Sequence, residues 1–137
     1  YKLPDSQTHS PIVWSPDGTR LFYTCGNSFR DMTIVDQRHG IVRRIISANN
    51  YGRICDLKLS LDGSFLVSSD FHGFIRLWDN NDGNYEQLQE WNVGDDVSTL
   101  GLHFSIDISA CSKYIVMATN LGNRVVLKRV ENGETVR

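Results

Sequence analysis

The stretch FLVSSDFHGFIRLWDNNDG, Phe65 to Gly83, decides the fold. Apolar residues alternate along FLVSSD, stop at a short turn containing Gly73, alternate again along FIRLWD, and end on Trp78-Asp79 before a second turn, NNDG. A period of two belongs to strands, and Gly with Asp supplies the backbone freedom that the turns need. Just upstream, ICDLKLS carries Ile54, Leu57 and Leu59 and runs into the turn LDG; downstream, NYEQLQEW closes the unit. Four short strands joined by tight turns predict one antiparallel four-stranded meander.

The unit is written three times. An aromatic or apolar residue precedes Ser at Trp14-Ser15, Leu59-Ser60 and Phe104-Ser105, each Ser standing 45 residues after the last. The repeats end at Val35-Asp36, Trp78-Asp79 and Lys128-Arg129, which implies two extra residues in repeat 1 and five in repeat 3. On this spacing the first insertion falls in CGNSFRD and the second in SIDISACSKY, both where turns are expected. Repeat 1 supplies PIVWS, RLFYTC, DMTIVD and GIVRRII; repeat 3 supplies STLGLHFS, KYIVMAT, NRVVLKR and the beginning of a last strand in ETVR. No segment has helical periodicity. Self-similarity at this period is the mark of a repeat architecture.

The residues of repeat 2 resemble a blade of the WD-repeat family, in which Ser-Pro-Asp-Gly precedes a Leu-Ala-Ser-Gly-Ser strand, an Asp turn and a strand ending in Trp-Asp. LVSSDFHGFIRLWD, Leu66 to Asp79, stands without a gap where the family has its middle strands, and repeat 1 keeps WSPDG at Trp14 to Gly18. Repeat 3 has neither Ser-Pro-Asp-Gly nor Trp-Asp. Asn49-Asn50 stand near the family's Gly-His position, His72 stands where its turn Asp is expected, and repeat 3 has Gly94-Asp95 in place of Gly-His. These departures fall on the family's side-chain network from His through Ser to Trp.

The resemblance implies an all-β chain of three four-stranded antiparallel blades of a WD-repeat β-propeller, a partial ring: blade 1 about 10–47, blade 2 about 53–91, blade 3 about 97–137 with its last strand incomplete. Both faces of a blade are covered in such a ring, so Trp78 is expected to fill the gap between sheets and Asp79 to bond turn backbone. Trp14, Asp17, Gly18, Asp36, Asp62 and Gly63 are read as scaffold with them, as is the Asp82-Gly83 pair, because Gly takes the positive φ that such turns require. Propellers need roughly four or more blades to close, so three leave two sheet flanks to be sheathed. The start at Tyr1 and the short last strand favour a segment of a longer propeller protein, whose remaining blades, or a second copy, would cover the flanks.

Composition restricts the function further. With 40% hydrophobic and 22% charged residues the chain is expected to fold, and a formal net charge of −2 gives no global field for nucleic acid or an anionic membrane. No apolar run is long enough to span a bilayer. Cys25, Cys55 and Cys111 are odd in number and show no CxxC spacing, and the chain has no Asn-x-Ser/Thr sequon, so a reducing compartment, cytosol or nucleus, is expected.

Chemistry finds little support. His9, His39, His72 and His103 are scattered without metal-ligand spacing to cysteine, and no phosphate-binding Gly loop, Gly-x-Ser-x-Gly elbow or His-Glu-x-x-His occurs, so no metal or cofactor is expected. Ser68, Asp70 and His72 share one face of a strand, but same-face neighbours stand nearly 7 Å apart, too far for a catalytic relay. An enzyme-linked alternative comes from PIVWSPDGTRLFYT and MTIVDQRHGIVRRI, which also look like blades of the propellers that gate prolyl-oligopeptidase-like serine hydrolases.

The expectation is therefore a non-catalytic scaffold that binds other protein subunits or peptide motifs within a multisubunit assembly. In a propeller the loops before the first strand and between the second and third strands of each blade gather on one rim. Those loops offer Asn27, Ser28, Phe29 and Arg30; Asn50, Tyr51, Arg53, Phe71 and His72; and Asp95, Asp96, Asn120 and Leu121. Phe29, Tyr51 and Phe71 with Arg30 and Arg53 are interface-anchor residue types. The arginines suit an acidic or phosphorylated segment, and Asp95 with Asp96 a basic one. Arg43-Arg44 are expected on an outer edge strand, where charge discourages strand addition.

Overall fold

A computed structural model of the chain describes residues 11–25, 31–38, 42–45, 52–81, 83–92, 104–119 and 125–136. Every regular element among them is a strand. The first sheet holds β1 (Ile12–Trp14), β2 (Arg20–Cys25), β3 (Asp31–Asp36) and β4 (Val42–Ile45). The second holds β5 (Ile54–Leu59), β6 (Phe65–Asp70), β7 (Phe74–Asp79) and β8 (Gln87–Asn92). The third holds β9 (Phe104–Ile108), β10 (Tyr114–Thr119), β11 (Val125–Arg129) and the two-residue β12 (Thr135–Val136). Each is a meander whose neighbours in sequence pair antiparallel.

The first strands of the three sheets lie side by side, β5 touching both β1 and β9. Asp56 fixes the second of these junctions, since its carboxylate accepts the Ile106 amide at 3.0 Å and the Ser105 hydroxyl at 3.4 Å. The sheets therefore stack as wedges around one edge, with β4, β8 and β12 outermost.

Alternation then divides each strand between two interfaces. Phe22, Met32 and Ile34 of the first sheet pack against Ile54, Leu57, Leu66, Trp78 and Tyr85 of the second. From its other face Phe65, Val67, Ile75 and Leu77 meet Ile106, Ile115 and Met117 of the third. The middle sheet is thus apolar on both sides, and all six residues of β6 are buried. Burying each such Leu, Ile or Val side chain stabilises by roughly 1.5–3 kcal/mol. Trp78 is 4% exposed, and its indole N–H donates to Ser68 Oγ at 3.0 Å, so the large ring enters the core with its one polar atom satisfied. Asp79 accepts the Asn81 amide at 2.9 Å, and Asp36 the Arg38 amide at 2.8 Å, each closing the turn that follows its strand.

The turn from first to second strand repeats in all three sheets, and it corrects the alignment of the third. The amide of Ser15 donates to Arg20 O, that of Ser60 to Phe65 O and that of Ser109 to Tyr114 O; the amides of Gly18, Gly63 and Ser112 return to the same three serines. Ser109, and not Ser105, is the structural counterpart of Ser15 and Ser60. SIDISACSKY holds no insertion at this turn, Ser105 lies inside β9, and the equal spacing of 45 residues that selected it is a coincidence of register. Cys111 consequently occupies the place of Asp17 and Asp62. Ser112 occupies that of Gly18 and Gly63 and adopts their left-handed backbone, φ 60° against 70° and 73°.

The outer strands are fastened too. Gln89 Nε2 donates to Val130 O at 3.0 Å, and Gly133, at φ 70° in the turn before β12, lies so close to Trp91 that a Cβ there would overlap the indole. The sheets at either end keep one face with no neighbour among the described residues. On the first sheet it carries Ile12 and Trp14, 52% and 49% exposed, with Leu21 and Val35 beside them. On the third it carries Val125, 69% exposed, with Tyr114, Val116, Ala118 and Leu127.

Candidate protein-interaction rim

At one end of the middle sheet the segment entering β5 and the turn between β6 and β7 come together. The Phe71 amide donates to Arg53 O at 2.8 Å, which sets Arg53, Phe71 and His72 on one small surface; Arg53 and Phe71 are half-buried and His72 is exposed. The His72 ring lies over Gly52, where a Cβ would meet its Cδ2 at 2.5 Å. Glycine at position 52 is what lets the imidazole approach the backbone this closely.

Asp70 supports this turn from below. One carboxylate oxygen accepts the amides of His72 at 2.9 Å and Phe74 at 3.0 Å, and the other takes the Arg76 guanidinium at 2.8 Å. Asp70 and Arg76 are both 0% exposed. Arg76 also reaches Glu90 of β8 at 2.8 Å, with Glu90 31% exposed, and its guanidinium carbon stands 5.2 Å from the Phe74 ring centre. Charges withdrawn from water cost several kcal/mol each unless paired and hydrogen-bonded. Here backbone amides and two carboxylates meet that condition, so the turn bearing Phe71 and His72 is tied to three strands. Ser68 and Asp70 do not form a relay with His72: the Ser68 hydroxyl receives the Trp78 indole N–H, and Asp70 engages His72 by its backbone amide.

The opposite end of the wedges is built differently. The Asp17 carboxylate accepts the Ser15 hydroxyl, the Thr19 amide and the Thr19 hydroxyl; Asp62 repeats this with Ser60 and Ser64. The serine hydroxyl foremost, then the amide, hold each carboxyl at about 2, well below the usual range. In the third sheet Cys111 meets the same donors. The Ser109 hydroxyl, 3.3 Å away, and the Lys113 amide push its thiol below the ordinary value.

Of the rim residues expected from sequence, Arg53, Phe71 and His72 are brought together; Asn27, Ser28, Phe29, Arg30, Asn50, Tyr51, Asp95, Asp96, Asn120 and Leu121 lie outside the described residues, as do Asn49, Gly94 and Asp82. Asp70, Arg76 and Glu90 were missed as supports. The signal for the first two was an acid and a base six apart, bracketing a Gly turn inside otherwise apolar strands. Among the described residues no three His, Cys, Asp or Glu side chains form a group that could hold a metal, and no helix is long and apolar enough to cross a membrane.

Wedges of this kind, stacked on their first strands, are blades, and the fold is part of a β-propeller. Among solved structures the chain is similar to the β-propeller domain of Cps50 (Swd1) from Myceliophteria thermophila, with a TM-score of 0.73 and 18% sequence identity over the whole of this chain. It spans 47% of that chain, a little under half. No family model and no curated protein matches the sequence.

Proposed function

We propose that this chain is part of a WD-repeat propeller and serves as a non-catalytic scaffold, taking up other protein subunits or peptide motifs within a multisubunit assembly of the cytosol or nucleus. The observation that carries this reading is the braced turn at 70–74. An aromatic and an imidazole stand at a rim on backbone that a buried ion pair and three strands hold fixed. Preorganised anchors lose little entropy on binding, which suits recognition without chemistry. The Trp78–Ser68 bond supports the WD-repeat assignment, since it pairs the residue types that the family joins.

Phe29, Arg30, Tyr51, Asp95 and Asp96 are assigned to the same rim. Arg30 and Arg53 suit an acidic or phosphorylated segment, and Asp95 and Asp96 a basic one. Neither cofactor nor direct nucleic-acid contact is part of the reading. The test is capture of protein partners by the full chain, compared with the double variant Phe71→Ala, Tyr51→Ala. Capture should fall while expression and strand content hold. Unchanged capture removes this surface, and labelling of the full-length protein by a serine-hydrolase activity probe removes the non-catalytic reading in favour of a hydrolase gate.

A further inference from the structure

The turns that lead into the fourth strands of the second and third blades are built alike and filled differently. The Asp79 amide donates to Glu86 O in one and the Arg129 amide to Glu134 O in the other, so Tyr85 is the counterpart of Gly133 and Asn84 that of Asn132. Both Tyr85 and Gly133 hold a left-handed backbone, φ 55° and 70°. Tyr85 sends its phenol back to Arg20 of the preceding blade, 3.0 Å away. Gly133 sends nothing, and the Trp91 indole of the preceding blade stands where its Cβ would be.

The replacement makes Asn132-Gly133 the one Asn-Gly pair in the sequence. A carboxamide of Asn is open to attack by the next main-chain nitrogen, and glycine lets that nitrogen come closest. Asn132 is exposed, and its Oδ1 accepts the Glu134 amide at 3.1 Å. A donor on that oxygen stabilises the negative charge it gains when Cγ is attacked. The opposing hold is slight: the Gly133 amide donates to Arg129 O at 2.9 Å, in a turn followed by a strand of two residues. Outer segments with few contacts open at low cost in free energy. Asn84 is exposed as well, but the nitrogen that follows it belongs to Tyr85, whose side chain is buried. Asp17 and Asp62 also precede glycine, yet their serine cradles lower each carboxyl to about 2, and an ionised carboxylate offers no leaving group.

We infer that Asn132-Gly133 is a site of spontaneous covalent modification whose product loosens the outer margin of the third blade. The Gly133 nitrogen attacks Asn132 Cγ; the N–Cγ bond forms, the Cγ–Nδ2 bond breaks, and the proton that the nitrogen gives up ends on the departing ammonia. Water then opens the succinimide ring. Opening at the former main-chain carbonyl carries the chain through Cβ and Cγ of residue 132, so the backbone gains a carbon and a carboxylate takes the side position. This turn has no slack for the added length. The Gly133 amide is bonded to Arg129 O, its carbonyl accepts Lys128 Nζ at 3.0 Å, and the Trp91 indole lies against its Cα. The isoaspartate therefore moves Gly133 off the indole and takes Thr135 and Val136 out of register with Lys128 and Leu127. No reagent but water enters, and the inference is independent of what the rim captures.

The experiment is incubation of the folded full chain in neutral buffer, followed by peptide mass spectrometry and hydrogen–deuterium exchange. Deamidation should accumulate at Asn132 and not at Asn84, the product should be chiefly isoaspartate, and the amides of 133–136 should lose protection while those of β10 keep theirs. Asn132→Gln retains a carboxamide but must close a larger ring, so it should stay unmodified and keep its protection over the same time. Equal deamidation at Asn84 and Asn132, or none at either, would overturn the site. A product that is chiefly aspartate, or exchange that does not change on modification, would overturn its structural consequence. Partner capture through Phe71 is read separately and does not decide these outcomes.

Discussion

The middle blade turns at both ends around an aspartate, and the two aspartates are satisfied in opposite ways. Asp62 is exposed and is held chiefly by Ser60 and Ser64 of its own five-residue turn, with a lesser hydrogen bond from Ser112 of the third blade. Asp70 is buried and draws on Arg76 of the next strand, which is held in turn by Glu90 of the strand after that. The first is a local device that can be copied from blade to blade. The second depends on register across β6, β7 and β8, and it lies beneath the turn to which a binding role is assigned here. Stiffness at the scaffold end costs little sequence information, whereas stiffness at the rim end requires three strands to agree.

Removing one member of the buried pair should break this contrast most forcibly. Arg76→Met leaves buried Asp70 without its cation, and the expected loss is about 3–5 kcal/mol of stability, read from the urea midpoint at neutral pH. A loss no larger than that of an ordinary surface substitution would mean that the rim turn does not depend on the pair.

Acid sharpens the other side of the comparison. Asp17 and Asp62 are lowered from 3.8 to about 2 in the folded state, so the folded chain binds fewer protons than the unfolded one between those values. Their stabilisation is complete above 3.8 and is lost as pH falls through about 2. The urea midpoint should decline across that window, and Asp17→Asn with Asp62→Asn should flatten the decline. An identical slope in the double variant would show that the serine cradles contribute nothing.

The smallest effect concerns the third copy of the cradle. Cys111→Asp restores the carboxylate for which the Ser109 hydroxyl and the Lys113 amide are placed, and should raise the midpoint slightly; in the parent, Cys111 should be alkylated at a lower pH than an ordinary thiol, as mass spectrometry of iodoacetamide adducts would reveal.

This local-versus-distant distinction also separates what the sequence disclosed from what it hid. Trp78, Asp62 and Gly63 could be read because their partners lie within a few residues or because an indole in an apolar run has few places to go. Strand order followed from alternation and Gly turns. The third blade was misaligned because Cys111 and Ser112 replace the Asp-Gly pair that marks the turn, leaving Ser105 as a decoy at an attractive spacing. Asp70 looked like a polar residue at a strand end, since its pairing with Arg76 exists only once the hairpin is closed. Tyr85 was overlooked for the same reason. It sits at φ 55°, reaches back to Arg20 of the preceding blade and meets the Phe22 ring edge-on at 6.0 Å, a contact between residues more than sixty positions apart.

Gly133 gives the third blade a point of intolerance in its outer turn. Its other signature residues have departed from the pattern of the first two blades: thiol for carboxylate, Ser for Gly, Lys-Arg for Trp-Asp. At position 133 a left-handed backbone and the adjoining Trp91 indole each forbid a side chain, one by conformation and the other by volume. Drift at those signature positions alters the blade's chemistry; drift here would pry its outer margin from the neighbouring blade.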